Sequence, residues 1–382
     1  MAENVVIQSV DRWLGRTETW LYEQVKRLAR PFESHVVCAS TENLDQFPWP
    51  NIHKTHDGDF VGKVFNRLGI RRGAQQISRL ARRVGAGLIH SHSANVAWSD
   101  LPAVKRADLR HIATFYGYDV IFLPRQHPQW RDRYMELFDS VDHILCEGPH
   151  MAAQVQQLGC PREKLRVHHL GVAVDRIEYR PRSWTSGQPL RVLIAATFHQ
   201  KKGIPFAIRA LGELSRSVPV QITLIGDENN HSGVRSDKAN ILQAIEQCKL
   251  TSVTRLLGFQ PHDVLLREDY AHLIYMAASI TADNGDTEGG APVSLIEMIA
   301  TGMPVVATRH CDIPNVVIDR QSGLLADERD IDGLTQCLQW LVANPDQWAK
   351  LTQAGRQRVE REFDSRLQGQ RLAAIYQEAL AA

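Results

Sequence analysis

Short β-branched runs alternate with longer amphipathic runs in this chain, and the whole rhythm is played twice. In the first half the strand candidates are 4–10, 34–39, 87–90, 109–115, 142–146 and 165–169. Helical patterns fill most of the gaps, as at 17–29, where Leu21, Val25 and Leu28 fall at i, i+4 and i+7. After residue 190 the alternation restarts, with strands expected at 190–196, 220–226, 253–258, 273–280 and 304–308. Such β-α-β repetition builds a parallel sheet covered by helices on both faces. Two runs of it predict two doubly wound α/β domains.

The length agrees, since 382 residues at roughly 150 per domain allow two. The segment 179–188, YRPRSWTSGQ, has Pro, Ser and Gly and no apolar period, which suits a linker. The expected division is therefore 1–180 and 190–362, with a last amphipathic helix over 363–382. At 43% hydrophobic and 23% charged, the chain has enough apolar content to offset ordering entropy, which excludes a wholly disordered protein. Six scattered cysteines form no C-x-x-C pair, and no signal peptide is expected. The longest mostly apolar stretch, 271–280, is far short of the ~18–20 residues that span a bilayer. A reduced, cytoplasmic protein is expected.

A net charge of +1 makes no demand for nucleic acid, and none is expected as a partner. The charge is unevenly spread: residues 1–185 hold 25 basic and 20 acidic residues, and the remainder 19 and 23. An anionic surface or acceptor would be met by the first half. Segment 54–83 concentrates eight basic residues against two acids, interleaved with Val64, Phe65, Leu68 and Ile70. It reads equally as a peripheral membrane contact at the inner face or as an ordinary solvated helix and loop whose arginine stems cover apolar surface.

Doubly wound sheets bind ligands beyond the carboxyl ends of their strands. The richest such loop is 281–304, TADNGDTEGGAPVSLIEMIATGMP. It closes on Glu288-Gly289-Gly290 and opens a helix at Pro292, where a missing N–H costs nothing. The free amides there, uncrowded at the two glycines, suit an anion such as phosphate. Ser294, Glu297 and Thr301 form the helix's polar stripe, which by spacing faces either solvent or a ligand.

E-G-G-A-P-V-S-L-I-E-M-I-A-T-G-M-P-V-V-A-T, residues 288–308, strongly resembles the donor-site signature of retaining GT-B glycosyltransferases of family four. The resemblance implies a GT-B fold, two Rossmann-like domains facing a central cleft, with the nucleotide-sugar donor on the second. It implies that Glu297 binds the ribose hydroxyls and that Glu288 contacts the transferred sugar, with Gly289, Gly290, Val293 and Ser294 at the donor. Eight residues separate the two acids where the family has seven, which places the extra residue in the turn at 289–291. The stretch RVLIAATFHQKKG, 191–203, resembles the family's first strand and diphosphate-gripping loop. Lys202 matches the family lysine, but Thr197 stands at the arginine position and lacks a guanidinium's charge. His199 or Lys201 is the candidate compensation. Leu224-Ile225-Gly226-Asp227, Leu257-Gly258-Phe259 and 313–325 follow in the family's order.

The first half resembles the exopolysaccharide, colanic-acid-type branch of the same family. Gly15-Arg16-Thr17-Glu18-Thr19 is similar to its first strand–helix turn, and Ile89-His90-Ser91-His92 ends a strand. Thr114-Phe115-Tyr116-Gly117-Tyr118-Asp119 resembles the family's aromatic-His-Gly-x-Asp turn, with Tyr116 in place of the histidine. The resemblance implies that Gly15, Arg16, Thr17, His92, Tyr116, Gly117 and Asp119 face the cleft and the acceptor. His90 and His92 share one strand face but lack a nearby third ligand, so no metal site is expected. The D-x-D strings at 57–59 and 330–332 follow no apolar strand, and Asp330 reads as a helix cap.

The expected activity is transfer of a hexose, with retention and without metal or other cofactor, from a UDP- or GDP-linked sugar to a saccharide or lipid-linked acceptor. Cell-surface polysaccharide or glycolipid synthesis is the implied setting. Lys202 and Glu288 are the catalytic candidates. The alternatives are a non-catalytic nucleotide-sugar-binding partner protein and a GT-B epimerase.

Overall fold

The computed structural model describes residues 4–15, 18–55, 73–228 and 236–382. Arg16, Thr17, Asp57–Asp59 and most of the basic segment 54–83 lie outside them. The chain forms two compact units, one of residues 1–171 with 365–382 and one of residues 172–364.

In the first unit, strands β1 (Val5–Ser9), β2 (Glu33–Cys38), β3 (Ile52–Lys54), β4 (Ala86–His92), β5 (Arg110–Phe115), β6 (His143–Cys146) and β7 (Leu165–Val167) form one sheet in the order β3-β2-β1-β4-β5-β6-β7. Every pairing is parallel. The second unit repeats the pattern with β8 (Leu190–Ala195), β9 (Val220–Ile225), β10 (Thr254–Leu256), β11 (Ile274–Ala277), β12 (Val305–Thr308) and β13 (Leu324–Ala326), ordered β10-β9-β8-β11-β12-β13. These pairings too are all parallel. The central strands are buried on both faces, so they are apolar runs without alternation, as Ile-Tyr-Met-Ala and Val-Val-Ala-Thr show. In each unit the order reverses beside the first strand, which leaves a ligand crevice at its carboxyl end.

The division falls earlier than the expected linker. Residues 179–188 belong to the second unit because Arg182 is pulled into it. Its guanidinium donates to Asp269 Oδ1 at 3.3 Å, and to the carbonyls of Thr301 at 3.1 Å and His272 at 3.0 Å. Trp184 joins the core with Leu190, Val192 and Trp348.

The last helix, Ser365–Ala381, packs on the first unit. Leu372 and Tyr376 lie among Val6, Leu88 and Ile112. Gly369 makes this approach: a Cβ there would sit 1.9 Å from the Arg27 carbonyl oxygen. Asp330 caps its helix, its Oδ1 accepting from the Gly333 N–H at 2.8 Å.

Candidate functional site

In the second unit, side chains from the loops after neighbouring strands converge. After β8 the chain makes one tight turn, Gln200–Lys202, and leaves it through Gly203 at φ +59°. A Cβ at Gly203 would fall 1.8 Å from the Ala278 carbonyl oxygen, so only glycine lets this turn meet the loop after β11. The contact sets Lys202 against Glu288. Lys202 Nζ donates to Glu288 Oε2 at 2.7 Å, and Ser279 Oγ donates to Oε1 at 2.7 Å. Burial works to raise the Glu288 carboxyl, but Lys202, Lys201 and the two hydrogen bonds outweigh it and hold it at about 2. Glu288 is therefore a fixed anion at neutral pH.

Lys201 is bound in the same loop. Its Nζ donates to Asp286 Oδ1 at 3.2 Å and to the Thr287 carbonyl at 2.9 Å. His199 is buried, and burial, followed by the charges of Lys201 and Lys202, lowers its pKa. A neutral imidazole does not replace the charge missing at Thr197. Gly226 and Gly258 pair across the ends of β9 and β10, the Gly226 N–H donating to the Gly258 carbonyl at 2.8 Å.

Helix Val293–Ala300 begins one residue later than expected, with Pro292 at its N-cap. The Leu295 N–H donates to the Pro292 carbonyl at 3.0 Å, so in the first turn the amides of Val293 and Ser294 are the ones without an intrahelical acceptor that remain for an anion. The Gly289 amide does not, because it donates to Thr287 Oγ1 at 3.1 Å. The polar stripe faces other protein groups rather than bulk solvent. Ser294 Oγ lies 2.8 Å from the Tyr275 hydroxyl, and Thr301 Oγ1 donates to Asp269 at 3.2 Å. Glu297 Oε1 lies 2.9 Å from Nε2 of the half-exposed His262.

The first unit departs further from expectation. His92 is buried, and both its ring nitrogens are engaged. Nε2 donates to Gln8 Oε1 at 3.0 Å, which leaves Nδ1 to accept from the Tyr116 hydroxyl at 3.0 Å. His90 lies between the Tyr376 hydroxyl at 2.6 Å and Thr114 Oγ1 at 2.7 Å. Burial lowers His92 to about 3 and His90 well below the usual range. These histidines therefore make up a neutral polar core. Asp119 is also buried. Its Oδ2 accepts from the Tyr116 N–H at 3.0 Å, and burial lifts its carboxyl to about 7. Gly117 precedes a π-helical turn, Tyr118–Phe122. Gly15 N–H donates to Glu18 Oε2 at 2.6 Å. A cavity of about 370 Å³ sits beyond β1 and β2, lined among others by Ser9, Asp11, Asn95, Ser99 and Arg133.

Sequence reasoning missed Ser279, His262, His310 and Glu328. Ser279 and His310 each lie two residues past a strand end, at β11 and β12, and that position was the available signal. Among the described residues, no group of three or more His, Cys, Asp or Glu could hold a metal, and no helix is long and apolar enough to cross a membrane.

Residues 17–176 match the family model described as Glycosyltransferase Family 4, and residues 175–358 match Glycosyl transferases group 1. Both halves of the chain are thus similar to glycosyltransferase domains, and the fold is GT-B. It is 32% identical over 270 residues to WcaL of Escherichia coli K12, named for colanic acid biosynthesis, a match covering 70% of this chain and 64% of that protein. It is 29% identical to the amylovoran biosynthesis glycosyltransferase AmsK of Erwinia amylovora, covering 75% and 69%. The match thus spans just under two thirds of the WcaL length. The fold is shared with sucrose-phosphate synthase from Thermosynechococcus elongatus, with a TM-score of 0.78, 17% identity and coverage of 99% and 100%. Anabaena HepE, solved with UDP, gives a TM-score of 0.78 at 16% identity, covering 98% and 100%.

Proposed function

We propose that this chain is a retaining, metal-independent glycosyltransferase that moves a hexose from a UDP- or GDP-linked sugar to a saccharide or lipid-linked acceptor in cell-surface polysaccharide or glycolipid synthesis. The observation that carries the reading is the part-buried Lys202–Glu288–Ser279 cluster, built at the carboxyl ends of β8 and β11 on the loop that leads into helix Val293–Ala300. A cation, a fixed carboxylate and free helix amides are what a departing diphosphate and its sugar require. Lys202 and the helix amides take up the charge that develops on the leaving phosphate. Glu288 accepts hydrogen bonds from the sugar, and Glu297 from the ribose. The remaining acceleration comes from holding donor and acceptor in line.

The names of the relatives point the same way. WcaL and AmsK are named for exopolysaccharide synthesis, and a Mycolicibacterium smegmatis relative, 29% identical, is named as a GDP-mannose-dependent mannosyltransferase. The acceptor is assigned to the first unit and its cavity, with the protein in the cytoplasm and segment 54–83 set against the inner face of the membrane.

The test is nucleotide release by purified protein across UDP- and GDP-sugars with oligosaccharide and lipid-linked acceptors, and NMR of the product's anomeric centre. Turnover with the donor's anomeric configuration kept supports the reading. Inversion removes the retaining assignment, and tight donor binding without turnover on any acceptor favours the non-catalytic binding protein.

A further inference from the structure

Glu288 is aimed from behind. Its backbone N–H donates to His310 Nε2 at 3.1 Å, and His310 is 1% exposed. A nitrogen that accepts from an amide carries no proton, so the proton of the neutral ring is on Nδ1. Nδ1 lies 2.6 Å from Glu328 Oε1, an acceptor-only carboxylate that fixes this tautomer. Glu328 is itself held, its Oε2 accepting from the Thr281 N–H at 2.7 Å. The Cys311 thiol, 3.2 Å from Nε2, adds a weak donor on the accepting side. The chain of contacts runs from the loop after β13, through the loop after β12, to the main chain of the acid on the loop after β11.

We propose that the His310–Glu328 pair is a positioning dyad for the donor sugar. It locks the peptide before Glu288 so that the carboxylate meets Lys202 and Ser279, and it acts on the sugar while leaving the nucleotide to Glu297. This inference rests on the donor-site reading above. It also explains how Glu288 can be aimed despite the extra residue in the following turn, since the aim is set on the amide side of Glu288 rather than by the spacing to Glu297.

Two measurements test it. The first needs no ligand: long-range ¹H–¹⁵N correlation of the His310 ring in the intact protein. Nε2 unprotonated and Nδ1 protonated is the expected result, and a proton on Nε2 overturns the proposal. The second is calorimetric binding of UDP, GDP, UDP-glucose and GDP-mannose to the wild type, His310→Phe and His310→Gln, each checked for folding by its melting transition. Whichever pair the wild type binds, His310→Phe should weaken the nucleotide sugar about tenfold more than the matching nucleoside diphosphate. His310→Gln offers an acceptor and a donor in one side chain and should restore most of that difference. Equal losses for sugar and nucleotide, or a glutamine variant no better than phenylalanine, overturn the dyad and leave the donor site standing. A folded wild type that binds none of the four overturns the donor-site reading and the dyad with it.

Discussion

Replacing Lys202 with Met tests whether Glu288 is held as an anion by its partner. The ammonium and the carboxylate are 2.7 Å apart, with side-chain exposures of 18% and 7%. Removing one member of a buried ion pair costs about 3–5 kcal/mol, because the survivor stays buried and unpaired. The lysine's partial exposure puts the expectation at the lower end, about 3 kcal/mol. For a unit of this size each kcal/mol moves the melting temperature by about 2–4 °C, so Lys202→Met should melt about 6–12 °C below the wild type at pH 7.5. The pH dependence gives the sign. In the wild type the Glu288 carboxyl is held at about 2, below the ordinary 4.5, so its contribution is full above 4.5 and is lost as the pH falls toward 2. Without Lys202 the balance moves toward burial and the carboxyl titrates higher. The gap between the two proteins should therefore narrow from pH 7.5 to pH 4. Adding Glu288→Gln to the variant removes the stranded charge and should regain most of the loss. Scanning calorimetry of the three proteins is the assay. A variant melting within 2 °C of the wild type, or a double variant no more stable than the single, would refute the reasoning.

Glu297→Ala should weaken UDP or GDP binding about tenfold or more by calorimetry, since hydrogen bonds to a charged group contribute about 1.5–3 kcal/mol; unchanged affinity would remove Glu297 from the ribose site. His92 is held at about 3 against 6.5 when unfolded, so its stabilising effect is full above 6.5 and is lost as the pH falls. It should cost the first unit about 2 kcal/mol between pH 7.5 and 5, and His92→Gln should flatten that part of the urea-midpoint profile, whereas parallel profiles would count against it. Gly203→Ala places a Cβ 1.8 Å from the Ala278 oxygen at positive φ and should cost about 3 kcal/mol or more in chemical denaturation; wild-type stability would contradict a left-handed turn packed this closely on the β11 loop.

Both sheets were legible because a strand buried on two faces can only be an apolar run, and such runs recur between amphipathic helices. The loop 281–304 stood out as a candidate site because Glu288, Gly289, Pro292 and Glu297 lie within ten residues of one another. His310, Glu328 and His262 were not, because each meets its partner across 18 to 35 residues, a separation that only the strand order closes. His92 has a setting that the sequence hides for a different reason. A histidine at a strand end looks like a site residue, but its fate was decided by Gln8, 84 residues away, and by the Tyr116 hydroxyl. Arg182 hid the true boundary in the same way, since an arginine in a Pro/Ser/Gly-rich stretch reads as solvated until Asp269 is found beside it.

The last helix has a consequence for how the protein is made. Val172 and Asp364 bridge, and the Val172 N–H donates to the Phe363 carbonyl at 2.8 Å, so the second unit enters and leaves through one doorway. In topology it is an insertion within the first. A ribosome completes the insertion while its host still lacks Leu372 and Tyr376, and until those emerge His90 and Gln8 have no phenol to meet. The first unit begins to be synthesised before the second but closes after it, and a truncation that removes the helix opens the core at the far end of the sequence from the cut.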